Sequence, residues 1–254
     1  MAARIITIQI QGAPEDDYHV RLSDLLKKLE SLRTALRQTE GLVTGDDSSI
    51  VEYRVVNLSH NSPATLVLEA VPIDPRMHRS IATTTVNKFI SNLNQILSKG
   101  KVSNKVDSHT LESYRNLASS EQRITEFKIT SNKQSIEIDN LFKEKVTEII
   151  GEDETELGSV SGQLEWLNLH NNNTFHIYPT VGAKKINCSF RAALKAQVIS
   201  AIDQHVRVFG ELRYKKRDKF PYAMNVSDLE ILPSDSELPT LASLKGIAKV
   251  KLAA

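Results

Sequence analysis

Seven neighbouring residues carry most of the chemistry this sequence offers. They are Lys215-Lys216-Arg217-Asp218-Lys219, four bases in five positions, and the flanking tyrosines Tyr214 and Tyr222. Cations spaced this closely neutralise phosphates, and aromatic rings give bases a face to stack on. From 157 to 232, ten Lys or Arg stand against six Asp or Glu, a net +4. The whole chain has 32 bases against 31 acids and a net charge of +1, so it has no global field to draw in a polyanion. Any electrostatic attraction is local. A lysine-rich hairpin loop is equally compatible with a solvated turn, with Phe220-Pro221 packing over the end of a sheet.

Other constellations do not assemble along the chain. His19, His60, His78, His109, His170, His176 and His205 are scattered. His170 and His176 lie six apart without a cysteine or carboxylate partner, so the spacing suits no zinc site and no metal is expected. Gly41-Leu42-Val43-Thr44-Gly45 lacks the lysine and the following helix of a phosphate-cradling loop. Gly158-Ser159-Val160-Ser161-Gly162 leads into a strand, whereas a nucleophile elbow leads into a helix; its glycines let a long strand coil. Cys188, the one cysteine, falls mid-strand with inward parity and no nearby base, which is the position of a small core residue. With one cysteine there is no intrachain disulfide, and a reducing compartment is the economical reading. The expectation is a non-enzymatic protein with no catalytic residues and no cofactor.

The elements that must position the basic loop are five short strands, at 157–169, 174–178, 185–190, 206–214 and 222–231. A helix at 192–203 lies between the third and the fourth. Alternation sends Phe175, Ile177, Ile186, Cys188, Phe190, Val206, Val208 and Leu212 to one face. It leaves Thr174, His176, Tyr178, Lys185, Asn187, Ser189, Arg207, Phe209 and Arg213 on the other. Tyr214 has inward parity, and Gly210 marks a tight bend. The helix carries Leu194, Val198, Ala201 and Ile202 on one stripe.

This order resembles the OB-fold, and Val206-x-Val208-x-Gly210-x-Leu212 is similar to the penultimate strand of many such barrels. The resemblance implies a small Greek-key barrel that grips oligonucleotides through its second and third strands and two loops, here His170-Asn171-Asn172-Asn173 and the basic loop. The implied contacts are Lys185, Arg207, Arg213, Lys215, Lys216, Arg217 and Lys219 for phosphates and Tyr178, Tyr214 and Tyr222 for bases. Ser62-Pro63-Ala64-Thr65-Leu66 and the tail from Leu238 to Ile247 resemble uncharacterised bacterial proteins of toxin–antitoxin or phage-defence operons. That likeness implies a protein partner.

Upstream, Ile6, Ile8 and Ile10 alternate with Thr7, Gln9 and Gln11 as in a half-buried strand. Leu22, Leu25, Leu26, Leu29, Leu32 and Leu36 form one helical stripe with Lys27, Lys28, Arg33 and Arg37 elsewhere on its surface. Ser23 or a neighbour is the expected cap and Gly41 the expected stop. Strands at 50–58 and 64–71 flank the turn Ser59-His60-Asn61-Ser62-Pro63, and a helix through Phe89 and Leu93 ends at Gly100. A further helix at 108–117, a hairpin around Ser131-Asn132-Lys133 and a helix at 141–150 complete this half. The expected class is α+β: an N-terminal helix-on-sheet (β-α-β-β-α) domain over 1–152 and an OB-like β-barrel over 153–232. A linker and short amphipathic tail helix follow over 233–254.

In that tail Leu241, Leu244 and Ile247 make an apolar edge too short to be helical unsupported, so it packs on its own domain or on a partner. No apolar run approaches the ~20 residues that cross a bilayer, and the N-terminus shows no leader pattern, so a cytoplasmic protein is expected. Two readings follow. One is a binder of single-stranded DNA or RNA; the other is an antitoxin, immunity or regulatory subunit that holds a protein partner. Oligomeric state is not legible.

Overall fold

A computed structural model describes residues 4–46, 49–59, 62–74, 80–118, 123–170, 172–182 and 185–233. His60, Asn61, His78, Asn171, the linker from Ser234 to Pro239 and the tail residues Leu241, Leu244 and Ile247 lie outside them. The fold is mixed α+β, and the chain divides into two compact units, Met1–Glu152 and Asp153–Ala254.

The first unit is a five-stranded antiparallel sheet in the order β2-β3-β1-β4-β5, with β1 Ile5–Gly12, β2 Val51–Ser59, β3 Ala64–Pro72, β4 Ile124–Ser131 and β5 Gln134–Glu137. Ile6, Ile8 and Ile10 of β1 are fully buried against the helices. Helices α1 Leu22–Thr44, α2 Ser80–Lys99, α3 Ser108–Leu117 and α4 Asn140–Ile150 supply Leu32, Leu36, Phe89, Leu93, Tyr114 and Phe142 to the same core. The expected β-α-β-β-α order is therefore only the first half of this unit. β4 returns to pair with β1, Ile8 opposite Ile129, and β5 extends the sheet from there.

Helix ends follow local chemistry where a suitable side chain exists. Asp107 caps α3 by accepting from Thr110 N at 2.7 Å, and Asp139 caps α4 by accepting from Phe142 N at 2.8 Å. α1 departs from expectation at both ends. Its N-cap is Arg21 with no side-chain bond, and Ser23 lies inside the helix. It runs past Gly41 to Thr44, and Gly45 stops it in the left-handed region at φ 72°. The leucine stripe is also split: Leu32 and Leu36 are buried, whereas Leu22 is 70% and Leu26 57% exposed. Lys28 is buried. It donates to Leu117 O at 3.0 Å and stands 5.3 Å from the Phe127 ring centroid.

The second unit contains β6 Glu154–Asn168, β7 Thr174–Tyr178, β8 Ile186–Phe190, β9 His205–Tyr214 and β10 Ala223–Ile231. A 3-10 turn at Ala192–Leu194 and the short helix α5 Lys195–Ser200 lie between β8 and β9. Each strand pairs with two others in the order β10-β8-β7-β6-β9, and β9 pairs with β10 to close the ring. Every pairing is antiparallel except β8 with β10. The fifteen residues of β6 pair with β9 over their first part and with β7 over their last.

That double duty needs glycine at one point. A Cβ on Gly162 would lie 2.6 Å from Tyr178 O. A Cβ on Gly210 would lie 2.0 Å from Asn225 O, so the β9–β10 approach also depends on a missing side chain. Phe175, Ile177, Ile186, Cys188, Val206, Val208 and Val198 fill the interior. The α5 segment is shorter than the stripe suggested, and Ile202 lies in the turn after it, 40% exposed.

Candidate functional site

The outer surface of the ring presents two adjacent rows of side chains, set by strand register. In the first row His176 of β7 lies opposite Asn187 of β8. Asn187 lies opposite Ala223 of β10, and Ala223 opposite Arg213 of β9. Three strand spacings separate its ends, about 14 Å along the surface. Trp166, the one tryptophan, extends the row on β6: its ring stacks on His176 with centroids 4.2 Å apart and planes 17° from parallel.

Trp166 reaches this position through a β-bulge. Leu164 pairs with Ile177 and Leu167 with Phe175, so Glu165 and Trp166 together oppose His176. Simple alternation from the buried Leu164 would turn Trp166 inward. The extra residue turns it out, where it is 45% exposed. The bulge re-aims one side chain, a signal that alternation along a single strand does not carry.

Burial and the nearby Lys185 charge hold the His176 pKa below its ordinary value. The shift favours the neutral imidazole, the form that stacks flat on the indole. Lys185 and Tyr178 are exposed beside the row, Tyr178 directly two residues along β7 from His176. The result is an aromatic platform at one end, a small residue in the middle, and a guanidinium at the other end.

The basic loop takes a different arrangement from the one its composition suggested. Lys215 Nζ pairs with Asp153 Oδ1 at 3.0 Å and lies 4.6 Å from the Tyr222 ring centroid. The Tyr222 hydroxyl donates to the other Asp153 oxygen. The Tyr222 hydrogen bond, then Lys215, holds the Asp153 carboxyl below its usual value. Lys215, Tyr222 and Asp153 therefore tie the loop to the start of β6. Phe220 packs on Gly182, where a Cβ would lie 2.6 Å from its Cε1. Tyr214 is half-buried against the interior, and its pKa is raised by burial and by Glu156. Arg217 is half-buried, while Lys216 and Lys219 are exposed.

Charge bookkeeping changes as well. β6 begins at Glu154, so residues 153–233 add Asp153, Glu154 and Glu156 and bring the balance to ten bases against nine acids. Glu154, Glu156 and Asp218 line a cavity of about 280 Å³ beside Tyr214. Arg207 is turned to a separate part of the ring, its Nη1 3.6 Å from Glu230 Oε2 and its Nε donating to Ser161 Oγ at 3.4 Å. Of the sequence-selected residues, register thus places Arg213 in the first row, sets Tyr178 and Lys185 beside it, two residues along the chain from His176 and Asn187, and leaves Arg207 off it.

The second row runs Ser189, Asn225, Glu211 and Leu157 across β8, β10, β9 and β6. Ser189 Oγ donates to Asn225 Oδ1 at 2.6 Å, and Asn225 Nδ2 donates to Glu211 Oε2 at 3.0 Å. Cys188 is buried, and burial pushes its thiol up to about 12, so it is unreactive at neutral pH. Among the described residues no group of three His, Cys, Asp or Glu side chains could hold a metal, and no helix is long and apolar enough to cross a membrane. No protein-family model, curated protein or solved structure matches the chain.

Proposed function

We propose that residues 153–231 form an OB-like barrel that binds single-stranded DNA or RNA across the first row, without catalysis. The strand order, the parallel β8–β10 pair and the helix between the third and fourth strands support the barrel reading. The observation that carries the function is Trp166, stacked on His176 and open to solvent, with the Lys185 charge acting on the same His176. A base stacks on the free face of the indole, and Lys185 and Arg213 take the flanking phosphates. The near-neutral charge of the unit makes stacking, and not a broad basic field, the main source of affinity. Lys216 and Lys219 contribute at the edge; Lys215 and Tyr222 hold the loop.

Trp166 reports on its own occupancy because it is the one tryptophan. Titrating the full chain with oligo-dT and with oligo-U should quench its fluorescence saturably. Trp166→Ala should weaken binding of a labelled oligonucleotide by roughly 5- to 150-fold, the value of one stacked base. Affinity should fall with salt by about 0.7 log per log for each phosphate contacted. Absence of quenching with both oligomers, or unchanged affinity in Trp166→Ala, would remove the basis of this reading.

A second reading, an antitoxin, immunity or regulatory subunit, is favoured by one feature of the first unit. The edge strand β2 exposes Val55, Val56 and Leu58, and unpaired strand edges recruit strands from partners. Purification from the native host, with bound protein and nucleic acid both identified, separates the two readings. Under the second, Val56→Lys should eliminate the co-purifying protein.

A further inference from the structure

β2 lies at the edge of the five-stranded sheet, and one contact fixes its hydrogen-bond phase. Ile73 N donates to Ile50 O at 2.8 Å, so Ile50 and Ile73 are a bonded pair of the β2–β3 ladder. Bonded pairs alternate along an antiparallel ladder, and the next two are Glu52 opposite Val71 and Arg54 opposite Glu69. Val51, Tyr53 and Val55 therefore turn their N–H and C=O groups to the outer side of the edge. Pro72, which has no N–H to donate, stands opposite Val51 and fits that phase. Glu40 Oε1 accepts from Val51 N at 2.9 Å and anchors the start of the strand.

The side chains divide cleanly between the two faces. Val51 and Tyr53 belong to the core side, where Val55 is left 60% exposed. Glu52 and Arg54 are exposed on the other side. An antiparallel partner must bring outward backbone groups to outward backbone groups, and a second copy of β2 does this about a two-fold axis. An axis at Glu52 would set glutamate against glutamate, and one at Arg54 arginine against arginine. An axis at Val55 would set Glu52 against Leu58 and run into the bulge at Val56, where Val55 pairs with Leu68 and Asn57 with Val67. An axis at Tyr53 sets Glu52 opposite Arg54 in both directions. Those pairs fall at non-bonded positions, where Cα atoms approach to about 4.5 Å and side chains are closest. On the core side the same axis covers Val55 with Val51. Tyr53 N–H then meets Tyr53 O of the other strand, Val55 N–H meets Val51 O, and the bulge ends the ladder.

We propose that β2 pairs with β2 of a second copy of this chain, antiparallel and centred on Tyr53, joining two sheets into one. The strand is complementary to itself in charge, in hydrogen-bond phase and in apolar face, and two-fold pairing closes the edge against a third chain. This goes beyond the regulatory-subunit reading, which gives the same edge to a different protein. It is independent of nucleic-acid binding by the second unit.

Sedimentation of the purified full chain over a range of concentrations tests it. The parent should pass from monomer to dimer and no further. Glu52→Arg sets arginine against arginine in both pairs and should weaken the dimer roughly tenfold or more while keeping the parent's thermal transition. Arg54→Glu sets glutamate against glutamate and also faces Glu69 in its own sheet, so it serves as the complement. Mixed in equal amounts, the two variants should recover the parent's dimer strength, because both pairs are again opposite in charge. A parent that stays monomeric, a Glu52→Arg dimer as tight as the parent's, or a mixture no tighter than its components overturns the proposal. So does protein from the native host whose β2 edge carries a different protein in place of a second copy.

Discussion

At the scale of single residues, the pairing of Trp166 with His176 is the feature with most consequence. The imidazole's lowered pKa has a stability signature. Above the ordinary value of 6.5 both folded and unfolded chains leave His176 neutral. As pH falls below 6.5 the unfolded chain takes the proton first, so stability drops until the lowered folded pKa is passed and is level beyond it. Urea unfolding followed through Trp166 should show the parent losing more stability between pH 7 and pH 5 than His176→Gln does. Equal losses in both would mean that His176 is not held neutral. Cys188 gives a second residue-level expectation: with its thiol pushed up to about 12 and no exposure, it should resist alkylation at pH 8 until the protein unfolds.

At the scale of elements, the β9–β10 pair and its loop divide a single basic stretch into two kinds of residue. Lys215 is joined to Asp153 and lies over Tyr222, whereas Lys216 and Lys219 are exposed. Lys216→Ala and Lys219→Ala should leave stability within ~0.5 kcal/mol while each flattens the salt dependence of oligonucleotide binding. Lys215→Ala should instead loosen the loop, seen as faster hydrogen exchange at Tyr222 N, which bonds to Arg213 O at 3.0 Å. If all three behave alike, the Asp153 tie has no mechanical role. Gly210 tests the strand pairing itself. Gly210→Ala drives a Cβ to 2.0 Å from Asn225 O, and the forced separation of β9 from β10 should cost about 3 kcal/mol by denaturant unfolding. An unchanged midpoint would show that the two strands can part freely there.

At the scale of the molecule, two interiors share no residue: one centred on Phe89, Leu93 and Tyr114, the other on Phe175, Ile177 and Val208. Each unit therefore has the material for its own cooperative transition. Leu93→Ala removes a fully buried side chain from the first and should cost about 2–5 kcal/mol there. The helical circular-dichroism transition should move to lower denaturant while the Trp166 fluorescence midpoint stays in place. A common shift of both would show that the units unfold as one.

Much of the second unit was readable from alternation. The inward set from Phe175 to Leu212 and the outward Arg207, Phe209 and Arg213 follow directly from a two-residue period, because a pleated strand has only two faces. Most strand boundaries in this unit were readable from glycine, proline and asparagine clusters, but β6 starts at Glu154, ahead of the expected Leu157, because its first residues pair with the end of β9. What alternation cannot encode is an inserted residue or a neighbour distant in sequence. The bulge that turns Trp166 outward exists only against β7, and the row joining His176 to Arg213 exists only once β8 and β10 run parallel. The same limit applied in the first unit, where Lys28 looked like a surface lysine until Leu117 O and the Phe127 ring were brought to it. It applied to the basic loop as well: composition counts charges, but only the closed ring brings Asp153 to Lys215 across 62 positions of chain. Local sequence determines which face a side chain takes and where an element ends, because those depend on backbone geometry over a few residues. Which charges are already paired, and which ring is left open to solvent, is decided by contacts between segments that only the tertiary fold creates.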